Sequence, residues 1–293
     1  MEDVEALWDT LRQSADPAVV ASMKDLVETG SDRALNRLNP LAFAAAQHLG
    51  EDQPFFGLQA QGLDGSCPPL ATVEEMATLY AQELRKFQPH GPYFIGGYCM
   101  GGTLAYEVAR QLRLGGEEIG LLALFDTMNW CNVGAPTAWT NAYHSIEKVL
   151  FHAANLFQLK GSGRREFIRE KVKDLRDRLP VWKGIVSAKF SKDAEATPQS
   201  HNLARIWQAN DRACLIYVPK PFAGVVTDFR PSKQYRMFNL PNLKWEQLAQ
   251  RGQQIVNLPV YPAGMLVEPF VQHLAKSLRS AIDAAMHSTQ RSR

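Results

Sequence analysis

Nothing in this chain of 293 residues approaches the run of about 20 apolar residues that a membrane helix needs, so a spanning segment is not expected. Charge of one sign is also lacking. Lys and Arg number 32 against 30 Asp and Glu, and that balance gives no electrostatic case for nucleic acid or an anionic membrane as partner. Cysteine is scarce. Cys67, Cys99, Cys131 and Cys214 are scattered without C-x-x-C spacing, which argues against a zinc site or a disulfide framework and for reduced thiols in a cytoplasmic protein. Residues Met1 to Trp8 are acidic and lack the basic and apolar regions of a secretory signal. No internal repeat is visible. What is present, 45% hydrophobic and 21% charged residues, suffices for one large core, as one α/β domain with an insertion or as two domains.

Taken in order, residues 1–30 carry apolar positions Val4, Leu7 and Leu11, then Val19, Met23 and Leu26, broken at Asp16-Pro17. This predicts two short helices forming an N-terminal linker. Pro40 to Leu49 reads as an Ala-rich helix closed by Gly50, and Pro54 to Gln59 as a strand followed by a turn from Gly62. Thr72-Val73-Glu74-Glu75 is a capping box opening a helix to about Phe87. Ile119 to Phe125 is a buried strand with Asp126 at its C-terminal end, where open α/β sheets place ligands. Over 129–217 the period turns helical, predicting a lid inserted between core segments 31–128 and 218–287, with 288–293 a tail. In the second core segment, Gly224 to Phe229 and Gln254 to Val260 read as strands, Trp245 to Arg251 as helix and Glu268 to Met286 as an amphipathic helix. Such alternation predicts a mostly parallel, buried central sheet flanked by helices.

The richest stretch is Tyr93 to Ala109: a short apolar run ending in glycines, then Cys99, two more glycines and an amphipathic helix. Gly97-Tyr98-Cys99-Met100-Gly101 fits a G-x-S-x-G nucleophile elbow with sulfur in place of the serine oxygen. So tight a corner needs small neighbours, and the following helix N-terminus favours a thiolate and a developing oxyanion. The competing reading is a Gly-rich turn around an ordinary buried cysteine.

With the elbow through Glu107, several further segments together resemble the thioesterase domains of nonribosomal peptide and polyketide synthetases. They are Gln53 to Gly62, Gln88 to Tyr93, Leu122 to Thr127, Gly224 to Thr227 and Met265 to Val271, and the likeness spans most of residues 35–285 outside the lid. The resemblance implies an α/β-hydrolase fold with a helical lid and a nucleophile, histidine and aspartate triad. It also implies transfer of an acyl or peptidyl chain from the phosphopantetheine thiol of a carrier protein, with an upstream synthetase module as possible partner and no cofactor or metal of the chain's own. By position Cys99 matches the nucleophile, the backbone N–H of Met100 the oxyanion donor and Asp126 the acid. In other α/β-hydrolases the acid follows a later strand, which makes Asp228 the rival.

Two departures stand out. That family's histidine lies between the last strand and the Met-Leu-x-Glu-Pro helix start, whereas here Tyr261-Pro262-Ala263-Gly264 runs directly into Met265. Its first apolar strand and His-Gly-type oxyanion loop are also missing, because Ser31-Asp32-Arg33 passes straight to Ala34. Either the chain is a degenerate relative or short stretches are absent from it. The seven histidines (His48, His90, His144, His152, His201, His273 and His287) supply no obvious substitute. A thiol retains nucleophilicity without a base, so acylation with slow turnover, or transfer to an amine or thiol, is expected. The alternatives are an impaired module that binds carrier or acyl chain, and a stand-alone editing thioesterase. In the lid, Trp139, Tyr143, Phe151, Phe157, Trp182 and Trp207 suit either an acyl tunnel or ordinary packing. Arg164, Arg165, Arg169, Lys171, Lys173, Arg176 and Arg178 suit either a solvated face or a dock for an acidic carrier.

Overall fold

The computed structural model describes residues 48–50, 53, 55–58, 60–62, 67–129, 165, 168, 169, 172, 176, 198–232, 245–260, 265, 266 and 270–291. The expected linker, most of the lid and its histidines His144 and His152, and the segment 261–264 lie outside these residues.

Helix α1, Val73–Phe87, starts where its sequence says it should. Thr72 Oγ1 accepts from the Glu75 amide and Glu75 Oε2 accepts from the Thr72 amide, both at 3.2 Å, satisfying two N–H groups that a helix start otherwise leaves open. Strand β1 (Tyr93–Tyr98), helix α2 (Met100–Leu114) and strand β2 (Ile119–Phe125) follow; then helix α3 (Pro198–Ile216), strands β3 (Val226–Pro231) and β4 (Gln253–Leu258), and helix α4 (Val271–Arg291). The four strands form one parallel sheet in the order β1-β2-β3-β4.

Alternation along β2 decides which layer each side chain joins. Leu121, Ala123 and Phe125 pack with Phe229 and Leu258 against Leu274, Ala275, Leu278 and Ile282 of α4. Leu122 and Leu124 face the other way, onto Ala105, Tyr106 and Ala109 of α2 with Phe222, Val226 and Trp245. Helices thus cover both faces of the sheet, which explains the nearly unbroken apolar run of β2. On the α2 side a further layer, Ala77 and Ala81 with Val108 and Leu112, joins α1 to α2.

Two sequence expectations fail. Residues 55–58 of the predicted strand over 54–59 are exposed and outside any strand, Phe55 and Phe56 included. A strand exists only where a neighbour completes its ladder, and among the described residues these four have none. Trp245 to Arg251 is not a helix but a series of turns joined to Phe222 by a bridge at Ala249. Its buried Trp245 donates through Nε1 to the Thr127 carbonyl at 3.0 Å, so a long-range anchor outweighs the helical pattern. The predicted lid helix over 201–217 is α3, and 165, 168, 169, 172 and 176 are helical and exposed.

Candidate active site

Strand β1 carries the chain to the C-terminal edge of the sheet, and α2 leaves from that point. Cys99 occupies the corner with φ 52°, ψ −117°, backbone that a residue with a Cβ seldom adopts. Long-range contacts hold it there. The Cys99 amide donates to Phe125 O at 3.0 Å, extending the β1–β2 ladder by one residue, while the Cys99 carbonyl accepts from Gly102 at 3.0 Å and Thr103 at 3.3 Å. A Cβ at Gly97 would meet the Gly101 carbonyl, and one at Gly102 would meet Thr127 Oγ1, so strand and helix approach only because both are glycine. Nothing crowds Gly101, so that glycine borders open space.

Cys99 is exposed, yet protein packed around the corner removes enough water from the sulfur to push its thiol above the ordinary value. The Met100 amide donates to the sulfur and pulls the other way, while the negative charges of Asp126 and Asp211 push up again. The balance opposes the thiolate that the helix N-terminus alone was expected to favour. The N-terminus of α2 does not outweigh desolvation together with two like charges.

Asp126 stands directly beyond β2, also with positive φ (44°), its amide bonded to Phe229 O at 3.0 Å. Its Oδ1 is buried without a hydrogen-bond partner among the described residues, and burial, then the charge of Asp228, push its carboxyl up to about 6. Asp228, the rival acid, is 1% exposed on β3 and already engaged: Oδ2 accepts from Arg230 Nε at 2.7 Å and from Gln253 Nε2 at 2.8 Å. Its Oδ1 and the Gln253 Oε1 have no hydrogen-bond partner among the described residues. Burial pushes the Asp228 carboxyl up despite the opposing pull of Arg230. The Asp126 charge acts on the Cys99 thiol, and the Asp228 charge acts in turn on Asp126.

Among the described residues, no histidine is one of the groups that act on the Cys99 thiol. His90 precedes β1, at the opposite end of a six-residue strand from Cys99, about 20 Å away, and sits 3.8 Å from Glu117. His48, His273 and His287 are exposed, the last two on α4. Two residues that the sequence reading passed over do belong to the site. On α3, Asp211 acts on Cys99, and Cys214 is buried with its thiol hydrogen-bonded to Thr103, which lies one turn along α2 from Cys99. Burial, and then the Cys99 and Asp211 charges, push Cys214 up to about 12. The spacing Trp207, Asp211, Cys214 was the available signal, three residues on one helical face. Among the described residues no group of three or more His, Cys, Asp and Glu is placed to hold a metal ion, and no helix is long and apolar enough to cross a membrane.

The raised Asp126 carboxyl has a consequence for stability. Its folded value of about 6 lies above the ordinary 3.8, so the folded state holds this proton more tightly, and stability falls as pH rises from about 4 through 6. Asp126→Asn removes that loss. The variant is expected to be more stable than the parent at pH 7, by up to about 3 kcal/mol, with the difference shrinking toward zero below pH 4. Thermal melts of both proteins at pH 4 and pH 7 measure it.

A parallel sheet covered on both faces, with Cys99 on a strained corner between strand and helix and a carboxylate after the next strand, defines an α/β-hydrolase. The thioesterase domain family model matches residues 43–202, and the chain belongs to that family. A model of a family of unknown function also matches residues 1–61. "Inactive atromentin synthetase invA6" of Paxillus involutus is 41% identical over 246 residues, 82% of this chain. The chain spans 25% of that synthetase and a smaller share still of longer synthetases it matches. A four-domain nonribosomal peptide synthetase, AB3403, aligns with TM-score 0.60 and 25% identity over 82% of this chain and 18% of its own. The RedJ thioesterase of Streptomyces coelicolor aligns with TM-score 0.53 and 20% identity, covering 83% of this chain and 81% of its own, a likeness of fold.

Proposed function

We propose that the chain is a thioesterase or acyltransferase that takes acyl or peptidyl chains from a carrier protein's phosphopantetheine thiol, in the cytoplasm, through a covalent intermediate on Cys99. The sulfur attacks the thioester carbonyl while the Met100 N–H faces the developing oxyanion. The carbon–sulfur bond to pantetheine breaks, and the departing thiolate takes up the proton that Cys99 gave up. An acceptor then displaces Cys99 to release the chain, with Asp126 as the acid of the site. The observation that carries this reading is an exposed thiol held at φ 52° on a strand-to-helix corner with an amide donating to it. Carrier docking finds support in Arg165, Arg169 and Arg176, each helical and exposed.

A second reading, a module that binds carrier or acyl chain without efficient turnover, has its own observations. The Cys99 thiol is pushed up, no histidine among the described residues acts on it, and a 41% identical relative bears the name inactive. Incubation with hexanoyl-N-acetylcysteamine followed by intact mass measurement separates the two. An acyl adduct that is lost in Cys99→Ala supports the covalent mechanism. Absence of any adduct over hours overturns it in favour of the binding module.

A further inference from the structure

The sheet has an opening at the end away from Cys99. Pairing of β2 with β3 begins only at Ala123, opposite Thr227, so Ile119 to Leu122 have no β3 partner. The chain entering β3 turns toward β4 instead: the Phe222 amide donates to Leu248 O at 2.8 Å, and Gly224 O accepts from the Arg251 amide at 3.1 Å. On the other side of β2, Ile119 opposes Tyr93 and Leu121 opposes Phe94, which leaves Gly120 as the extra residue of a bulge. A cavity of about 270 Å³ occupies the gap where the strands part. Ile119, Leu122, Phe222 and Val225 give it apolar walls, while Arg113, Arg251 and Glu118 supply charge. The cavity lies about 20 Å from the corner, because β2 runs from Ile119 to Phe125, whose carbonyl holds the Cys99 amide.

The charges do not cancel. Arg251 is exposed and Arg113 half-buried, and among the described residues neither guanidinium has an ion pair or a hydrogen bond. Glu118, also exposed, sets one carboxylate against these two cations. Arg113 has an ordinary use, since a cation in the last turn of a helix offsets the negative end of α2. No such use accounts for Arg251, which stands on the turn before β4. An excess of one positive charge beside apolar walls fits a monoanion with an apolar body; a dianion such as phosphate would meet repulsion from Glu118. We infer that this cavity binds a small organic carboxylate, its two oxygens held by Arg113 and Arg251 and its chain or ring laid against Ile119, Phe222 and Val225. The planar guanidinium fork matches the two oxygens of a carboxylate. At about 30 Å³ per water in the liquid, the cavity has room for roughly nine waters, which limits the ligand to about that many non-hydrogen atoms or a few more. Nothing in the inference depends on covalent chemistry at Cys99, since the two places lie at opposite ends of the sheet.

Arginine modification by phenylglyoxal, followed by mass spectrometry at the peptides that carry Arg113 and Arg251, tests it on the intact chain. 3-Phenylpropionate should protect both residues with a single midpoint and leave Arg212, exposed on α3, unprotected. At tenfold above that midpoint about one site in eleven remains free, so both rates should fall about tenfold. 3-Phenylpropan-1-ol keeps the ring and loses the charge; acetate keeps the charge and loses the ring. Each should protect far less at the same concentration. Arg251→Gln, at an exposed position, should raise the midpoint read at Arg113 by about tenfold or more, through loss of a charge-assisted bond.

Absence of protection, protection by the alcohol or by acetate equal to that by the carboxylate, or an Arg251→Gln midpoint unchanged from the parent overturns the inference. So does a carboxylate that slows alkylation of Cys99 by iodoacetamide while leaving both arginines open, because such a ligand sits at the corner. The hexanoyl adduct reports separately: its formation or absence decides the covalent mechanism, and protection of the arginines decides the cavity.

Discussion

Replacing Cys99 by serine is expected to slow acyl-adduct formation by at least about 10²–10⁴-fold, the range that a missing general base accounts for. A hydroxyl on this corner would have the same strained backbone and the same Met100 amide, so the geometry is preserved and only the nucleophile changes. Sulfur tolerates the loss of a base because a fraction of any thiol is ionised near neutral pH and is intrinsically reactive. Oxygen has no such reserve. The raised Cys99 thiol reduces the ionised fraction, so the parent rate should climb as pH rises toward and past the ordinary thiol value. The serine variant should show no such climb. The check is the pH profile of adduct formation from hexanoyl-N-acetylcysteamine for both proteins, read by intact mass. A serine variant as fast as the parent would mean that a base acts on position 99, and the case for a thiol-dependent site would fail.

The parts of this site that were legible in the sequence are those fixed by short-range rules. Gly97, Cys99 and Gly102 announce the corner because strand and helix can meet there only over glycines, and Thr72 with Glu75 marks the start of α1 within four residues. Asp126 was legible because it directly follows an apolar strand. Asp228 was legible as a carboxylate but not as one already taken by Arg230, a partner two residues away whose reach depends on how β3 meets β4. Residues 55–58 misled for the opposite reason: an aromatic-rich run looks like a strand whether or not a neighbour exists to pair with it. Asp211 and Cys214 share a helical face in the sequence, but nothing local ties that face to the corner, since only the packing of α3 against α2 brings them toward Cys99.

That packing rests on Glu107, and its removal is expected to be the most damaging change outside the nucleophile. Glu107 is 1% exposed on α2, and both carboxylate oxygens are engaged. Arg110 donates to them at 2.6 and 2.7 Å, Gln111 at 3.0 Å and Tyr217 at 2.8 Å. Burial alone would push the carboxyl up, but the bonds from Arg110, Gln111 and Tyr217 hold it below the ordinary carboxylate range. The stability it contributes is therefore present at neutral pH and is lost as pH falls through that depressed value. Glu107→Ala deletes the charge while leaving the Arg110 guanidinium, 14% exposed, and the Tyr217 hydroxyl in place without their acceptor. Removing one partner of a buried pair typically costs about 3–5 kcal/mol, chiefly for the charge left behind. A smaller loss is expected when Arg110 goes too, because Glu107→Ala/Arg110→Ala leaves no buried ion uncompensated. Urea titrations of the parent, the single variant and the double variant measure both effects. Tyr217 also ties the end of α3 that carries Asp211 and Cys214 to α2, so Tyr217→Phe should cost about 1–3 kcal/mol of stability. A Tyr217→Phe protein as stable as the parent would show that α3 is held over the elbow by its apolar layer alone.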